Sequence, residues 1–230
     1  MESRGGFRRA LRGLSSILIV AGTLLIADAG ITLLWQEPVS AIYSTLQQDR
    51  LGNELTELWD EPTRLESRAL AALDDDQSRL AFQARALRRR AKRGQPIGRI
   101  RMKRLGTSQV IVRGTDGKSL RSGPGHFPST PLPGAPGTTA IAGHRTTYGA
   151  PFRDVDKLRR GDEIEVEMPY GVFTYEVERT RIVAPTAVEV TRRVGYDRLV
   201  LTACHPLYSA ARRIVVFARQ VRERPGGGLI

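Results

Sequence analysis

Three patterns of hydrophobic and polar positions follow one another along the 230-residue chain. An apolar run covers 14–35, where Asp28 is the only charged side chain. A helix needs about 20 such residues to cross a bilayer, so the run predicts a transmembrane helix. Leucines then recur at helical spacing over 36–94. From about 95 onward, short alternating or β-branched runs are separated by Gly and Pro, which is typical of strands and turns.

Arginines precede the apolar run and indicate its orientation. The segment 1–13 contains Arg4, Arg8, Arg9 and Arg12, and by the positive-inside rule such a basic tail stays in the cytoplasm. The chain then crosses the cell membrane once, and the rest of it lies outside the cell. A cleaved signal peptide is the alternative, because 27–29 resembles a cleavage site. The apolar run continues to Trp35, which favours an uncleaved anchor.

The segment 36–94 is polar and predicted to be helical. Its leucines fall into two groups, and Pro62 lies between them and breaks the segment into two helices. We interpret the segment as an extracytoplasmic spacer that holds the following domain away from the membrane. A coiled-coil dimer is an alternative, although the heptads do not persist. The leucines are Leu46, Leu51, Leu55 and Leu58, then Leu65, Leu70, Leu73 and Leu80.

Eight strand-like runs predict a mainly β domain over 95–223, either a sandwich or a small barrel. The Pro- and Gly-rich segment 122–137 is predicted to be a long loop without regular structure. One short helix is expected over 154–160, and 224–230 is expected to be a flexible tail. The predicted strands are 97–102, 109–112, 138–142, 163–168, 173–177, 180–183, 199–202 and 214–221.

The chain is strongly basic, with 36 Lys and Arg against 24 Asp and Glu and a net charge of +12. Ten basic residues and no acidic one lie between Arg85 and Arg104. This run is either a solvated face or a contact with an anionic lipid or wall polymer. The acidic residues of the domain are scattered, so no metal site is predicted. They include Asp154, Asp156, Asp162 and Glu163.

Cys204 is the single cysteine of a chain predicted to work outside the cell. It cannot form an intrachain disulfide, so we interpret it as a nucleophile. His144 follows a predicted strand and is the candidate general acid and base. Arg213 begins the strand after Cys204 and is the candidate stabiliser of an oxyanion. Arg212 is its rival, and because successive strand residues point to opposite faces, only one of the two can serve.

Four other histidine and tyrosine side chains lie in or near the predicted site segments. His126 lies in the Pro/Gly segment and is predicted to be structural. His205 is next to the thiol but should leave the strand on the other side, which favours a local electrostatic or packing role. Tyr148 and Tyr208 could line the groove for a substrate, and ordinary packing at a strand edge is the alternative for both.

Two distant stretches resemble the sortases, the membrane-anchored cysteine transpeptidases of Gram-positive bacteria. The stretch 201–216 (LTACHPLYSAARRIVV) is similar to their cysteine and arginine segment, and 139–152 (TAIAGHRTTYGAPF) to their histidine segment. The stretches 123–128 (GPGHFP) and 131–134 (PLPG) further resemble the class E branch. The resemblance covers 96–221, and by it Cys204, His144 and Arg213 match the family's catalytic residues.

The resemblance implies an eight-stranded sortase-type β-barrel with one or two short helices. It implies a thiol protease and acyltransferase that cleaves a Leu-Pro-x-Thr-Gly-like or Leu-Ala-x-Thr-Gly-like sorting signal between Thr and Gly. The surface protein is then transferred from a thioester to a peptidoglycan precursor amine. No cofactor is implied, and the expected partners are these two substrates and membrane lipid, not nucleic acid.

The sequence departs from the family pattern beside the cysteine. Ala203 replaces the usual Thr, and Val200 stands where Thr is common. A missing hydroxyl could remove a substrate hydrogen bond worth about 0.5–1.5 kcal/mol. Two other functions stay open. One is a catalytically idle, sortase-shaped scaffold protein. The other is a peptidoglycan enzyme of the L,D-transpeptidase type, which the spacing between Cys204 and Arg213 disfavours.

Overall fold

Eight strands form a closed barrel in the computed structural model, which describes residues 3–34, 38–57, 68, 70 and 72–226. Around the barrel their order is β1-β2-β3-β4-β7-β8-β6-β5. The prediction of a mainly β, eight-stranded barrel is therefore confirmed. The strands are β1 Pro96–Met102, β2 Thr107–Arg113, β3 Gly125–His126, β4 Thr138–Ala142, β5 Glu163–Met168, β6 Gly171–Val183, β7 Arg198–His205 and β8 Arg212–Pro225.

The eight strands are not the same eight that the sequence predicts. The predicted runs 173–177 and 180–183 form one strand, β6, which pairs with β8 along its length and has irregular register between Val177 and Arg179. Polar residues at that irregularity interrupt the hydrophobic pattern. The eighth strand is β3, which lies in the segment predicted to have no regular structure. It pairs in parallel with β2 and antiparallel with β4, but two residues are too few to show a period.

The strands β7 and β8 are buried on both faces where they meet. Leu201, Ala203 and Ile214 belong to the main core cluster inside the barrel. Val200 and Val215 belong to a second cluster on the opposite face of these strands, together with Ala140 and Phe217. Successive strand residues point to opposite faces, so burial of both faces explains why these strands are nearly continuous runs of apolar residues in the sequence.

The helices begin with α1, which contains the predicted membrane-spanning run. One apolar window, Leu11–Gly30, is long enough to cross a membrane. The remaining helices are short or amphipathic, and a 3₁₀ turn, Val155–Lys157, replaces the helix predicted over 154–160. The predicted break at Pro62 lies outside the described residues, as do Trp35 and 227–230 of the predicted tail. The α-helices are α1 Ser3–Leu34, α2 Pro38–Glu57, α3 Asp76–Arg90 and α4 Gly117–Ser122.

Two helices of the predicted spacer pack directly against the barrel. Leu80 and Leu87 of α3 belong to the main core cluster. Leu55 of α2 is fully buried and shares a cluster with Val110 and Val112 of β2. Of the predicted leucines, Leu51, Leu55 and Leu80 therefore pack against the barrel, whereas Leu46 is 65% exposed. Leu58 and Leu65 lie outside the described residues. The domain boundaries drawn at 35, 94 and 223 remain predictions.

Candidate active site

Antiparallel pairing of β7 and β8 decides which arginine faces the single cysteine. Cys204 is directly opposite Arg213, and His205 is directly opposite Arg212. Residues opposite each other on neighbouring strands have their side chains on the same face of the sheet. The structure therefore brings Cys204 and Arg213 together on one face and places Arg212 on the other. Cys204 is a half-buried free thiol.

His144 reaches this face because β4 runs parallel to β7. Ala142 is level with Thr202, and the N–H of Gly143 extends the ladder by donating to the Thr202 carbonyl at 3.1 Å. His144 lies two residues past Ala142, and Cys204 lies two residues past Thr202, so the two residues come side by side. A Cβ at position 143 would overlap the ring of Phe152, so only glycine permits this close approach. The N–H of Phe152 also donates to the His144 carbonyl at 3.0 Å, which fixes the backbone of the histidine.

One cavity of about 410 Å³ is lined by Cys204, His144 and Arg213 together. Its wall also includes apolar side chains of the β6–β7 connection, such as Val188 and Val190, and Phe127 from the segment after β3. A cavity with an apolar wall and a few convergent polar groups is typical of a binding site for a small ligand or a peptide segment. The thiol, imidazole and guanidinium predicted from three separate segments thus meet in one cavity.

Arg213 is fixed by the backbone of its own loop. Its Nη1 donates to the carbonyl oxygens of Ala210 at 2.8 Å and Arg212 at 3.0 Å. These hydrogen bonds involve neutral carbonyl groups, so they leave the positive charge of the guanidinium uncompensated. A fixed cation beside a thiol can stabilise the oxyanion that develops when the thiol attacks a carbonyl group.

The imidazole of His144 lies in an environment that favours its neutral form. Burial lowers the pKa of His144, and the positive charge of Arg121 lowers this pKa further. The Tyr148 ring is packed against the imidazole with a centroid distance of 5.3 Å. The guanidinium carbon of Arg121 lies 5.6 Å from the centroid of that same tyrosine ring. At pH 7 His144 is therefore neutral and able to accept a proton.

Removing the charge of Arg121 should raise the pKa of His144. In Arg121→Ala the imidazolium form is no longer disfavoured by a neighbouring cation, so the ring should titrate at a higher pH than in the wild type. Arg121→Lys is the matched control because it keeps the charge. The measurement is an NMR titration of the ring Hε1 signals, one for each of the three histidines. Identical titration curves for the two variants would show that Arg121 has no electrostatic effect on His144.

A buried arginine that the sequence does not single out joins the segments that contain His144 and Cys204. The Arg145 side chain is 2% exposed and forms an ion pair with Asp156 at 2.8 Å. Its Nε donates to the Arg153 carbonyl at 3.0 Å, and its Nη1 lies 3.4 Å from Nδ1 of His205. Arg145 follows His144 and His205 follows Cys204, so this contact holds the two segments side by side. His205 thus has a packing and electrostatic contact of the kind predicted for it.

The other predicted candidates lie outside the cavity lining. His126 is 1% exposed, its Nε2 lies 3.1 Å from the Pro131 carbonyl, and burial lowers its pKa to about 4. It is therefore neutral at pH 7 and has the structural environment predicted for it. Tyr148 contacts His144, whereas Tyr208 is 58% exposed in the β7–β8 connection. Within the part of the chain that the structure describes, no group of three or more His, Cys, Asp or Glu side chains could hold a metal ion.

The side chain of Ala203 faces away from the candidate thiol. It is 3% exposed and belongs to the core cluster inside the barrel, although Ala203 borders the cavity as Cys204 does. Val200 is fully buried in the cluster on the other face. A threonine hydroxyl at either position would enter an apolar cluster. The apolar residues at 200 and 203 therefore fit the packing of this barrel.

The closed barrel and the composition of its cavity define a β-barrel protein with a thiol, an imidazole and a guanidinium at one site. The family model described as "Sortase domain" matches residues 100–221, which is more than half of the chain. The chain belongs to the sortase family.

Three relatives illustrate the similarity. Sortase D of Bacillus subtilis is 31% identical over 132 residues, which cover 56% of this chain and 65% of that protein. The crystal structure of sortase E1 from Streptomyces coelicolor, with a tripeptide in its active site, is 30% identical with a TM-score of 0.55 and covers 57% of this chain and 91% of that one. A sortase D5 transpeptidase of Clostridium perfringens has the same fold at 24% identity, with a TM-score of 0.61, covering 76% and 99%. The chain thus spans less than two thirds of the B. subtilis relative.

Proposed function

We propose that this protein is a membrane-anchored cysteine transpeptidase that cleaves a C-terminal sorting signal and joins the protein to an amine of the cell wall. The observation that carries the proposal is the convergence of Cys204, His144 and Arg213 on one cavity. Membership of the sortase family supports the same reaction type. Thioester formation followed by aminolysis needs a nucleophile, an acid–base group and an oxyanion stabiliser, and these three residues provide them.

In the first step, neutral His144 accepts the proton of the Cys204 thiol, and the sulfur attacks the carbonyl carbon of the signal's threonine. The electron pair of the C=O bond moves to the oxygen, and the guanidinium of Arg213 stabilises the resulting oxyanion. When the tetrahedral intermediate collapses, the C–N bond to glycine breaks and protonated His144 donates a proton to the departing amine. The products are a thioester on Cys204 and a free peptide that begins with glycine.

In the second step, an amine attacks the thioester carbonyl. Neutral His144 accepts a proton from the attacking nitrogen, and Arg213 again stabilises the oxyanion. Collapse of this intermediate breaks the C–S bond and leaves the amide product, and the departing Cys204 sulfur takes back the proton from His144, which restores the thiol and the neutral imidazole. Burial lowers the pKa of His144, which favours its role as the base in this step.

The proposed substrate signal is a short peptide of the Leu-Ala-x-Thr-Gly or Leu-Pro-x-Thr-Gly kind. An apolar wall that includes Val188, Val190 and Phe127 provides a surface for the apolar residues of such a peptide. The tripeptide in the active site of the S. coelicolor relative supports binding of a peptide at the equivalent cavity. The resemblance of 123–134 to class E sequences favours the signal with alanine.

The proposed location is the outer side of a cell membrane, with helix α1 as the single anchor. The apolar window Leu11–Gly30 has the required length. The arginines before it favour a cytoplasmic N-terminus, and in that orientation the barrel would lie outside the cell beside wall precursors. The single free thiol is consistent with this location, because in an oxidising compartment a cysteine without a disulfide partner is explained by a role as a nucleophile.

The proposal is tested with the full chain in detergent or nanodiscs and two peptides, one with Leu-Ala-x-Thr-Gly and one with Leu-Pro-x-Thr-Gly. Mass spectrometry of the products, with and without a glycine-based amine, locates the cleaved bond. We expect cleavage between Thr and Gly, an amide product when the amine is present, and faster turnover of the alanine signal. Absence of cleavage in both peptides would favour the idle scaffold.

A further inference from the structure

Helix α2 is held against the barrel by a glutamine whose side-chain oxygen and nitrogen both form hydrogen bonds to the backbone of other elements. Its Oε1 accepts from the N–H of Val110 at 2.6 Å, and its Nε2 donates to the carbonyls of Val110 at 3.3 Å and Ser122 at 2.8 Å. The residue is Gln48, and a Cβ on Gly123 would overlap its Nε2. The helix therefore lies close enough for one side chain to join β2 to the end of α4.

A second contact of α2 reaches the segment that follows His144. Ser44 is buried, and a Cβ at position 149 would overlap its side chain, so Gly149 permits the helix to touch this segment. The φ angles of Tyr148, Gly149 and Ala150 are 51°, 72° and 42°. Tyr148 and Ala150, the non-glycine residues on either side of Gly149, are strained in the left-handed region, and such a backbone persists only where its surroundings hold it.

Both contacts of α2 lead to the imidazole of His144. Through Ser122, Gln48 fixes the end of α4, whose Arg121 lies over the ring of Tyr148. Ser44 packs against Gly149, which directly follows Tyr148 in the chain. The Tyr148 ring is packed on His144 with a centroid distance of 5.3 Å. Helix α2 thus supports from two sides the aromatic ring that contacts the imidazole.

We infer that α2 is a positioning element of the active site, in which Gln48 and Ser44 fix the orientation of His144 through α4 and the Tyr148–Ala150 segment. The inference rests on the proposed function for its kinetic consequence. It extends the catalytic unit beyond the matched sortase domain, which begins at residue 100. It also means that the helix that follows the membrane anchor α1 in the chain helps to hold the general acid and base in place.

The test replaces Gln48 with an apolar side chain of similar shape in the full chain. In Gln48→Met the three hydrogen bonds are lost, so α4 and the 148–150 segment are no longer fixed to the helix. We expect kcat to fall by about 10- to 100-fold, the scale of a small misplacement of a catalytic group, while KM for the peptide changes little. The ring signals of His144 in the NMR spectrum should also shift.

Two controls separate positioning from general stability. Gln47→Met is the matched variant, because among the described residues the side chain of this neighbouring glutamine bonds to the Tyr43 hydroxyl within α2 and not to the barrel. It should leave kcat and the His144 signals unchanged. Val166→Ala removes fully buried volume from the main core cluster, which is separate from the cluster that contains Leu51 and Leu55 of α2. It should lower the melting temperature and leave kcat unchanged at a temperature where the protein stays folded.

The NMR readout keeps the inference independent of the proposed reaction. If the wild type cleaves no peptide, the proposed function fails, but a shift of the His144 signals in Gln48→Met and not in Gln47→Met would still support the positioning role. Unchanged His144 signals in Gln48→Met would overturn the inference. So would a fall in kcat that Val166→Ala reproduces at equal loss of melting temperature, because α2 would then only stabilise the fold.

Discussion

Cys204→Ala should abolish both peptide cleavage and amide formation. The substitution removes the atom that would form the proposed thioester, and the chain has no second cysteine to replace it. Loss of a nucleophile of this kind lowers kcat by about 10⁴-fold or more. The measurement is the rate of Thr–Gly cleavage in the full chain, followed by mass spectrometry of the products.

The fold of this variant should be intact, because Cys204 is half-buried on the cavity side of β7 and alanine leaves the β7–β8 ladder unchanged. An unchanged melting temperature and continued binding of the peptide are the controls. Cleavage by Cys204→Ala at a rate close to that of the wild type would show that the reaction does not use the thiol.

Arg213→Ala should lower kcat/KM by at least about 100-fold, whereas Arg212→Ala should have a mild effect. The first variant removes the cation that faces Cys204, and loss of an oxyanion stabiliser costs about 10²- to 10³-fold. The second removes a cation of equal charge from the opposite face, so it is the matched control.

His144→Ala should also lower kcat/KM by at least about 100-fold, the scale of general acid–base catalysis.

Arg213→Lys sharpens this prediction, because it keeps the charge but loses the planar fork that donates to the Ala210 and Arg212 carbonyls. We expect its activity to lie between those of the wild type and Arg213→Ala. Steady-state kinetics on one peptide compares all four variants. A severe loss in Arg212→Ala with a mild one in Arg213→Ala would contradict the β7–β8 register.

The sequence predicts the site better than it predicts the surroundings of the site. Cys204 and Arg213 end and begin two apolar runs joined by a short connection, so antiparallel pairing alone places them near each other. The parallel neighbour β4 supplies His144, and its position depends on Gly143 and on the buried ring of Phe152. The resemblance of the two motifs to sortases, not periodicity, is what indicates that these segments meet.

The remainder could not be predicted because it depends on contacts between distant polar residues. Gln48 and Arg145 are of residue types that usually lie at the solvated surface. Gln48 instead bonds to β2 and α4, and Arg145 is buried beside Asp156 and His205. Burial of these groups is possible only because partners from remote segments satisfy them. Strand β3 has only two residues and shows no period at all.

The most direct test of the central claim is mass spectrometry of a covalent adduct. The full chain is incubated with a Leu-Ala-x-Thr peptide that has an electrophilic ketone in place of the Thr–Gly amide, and the modified protein is digested with trypsin. The proposal predicts that the mass of the peptide is added to the fragment 199–212, which contains Cys204, and that Cys204→Ala gives no adduct. An adduct on another residue, or equal labelling of Cys204→Ala, would contradict it.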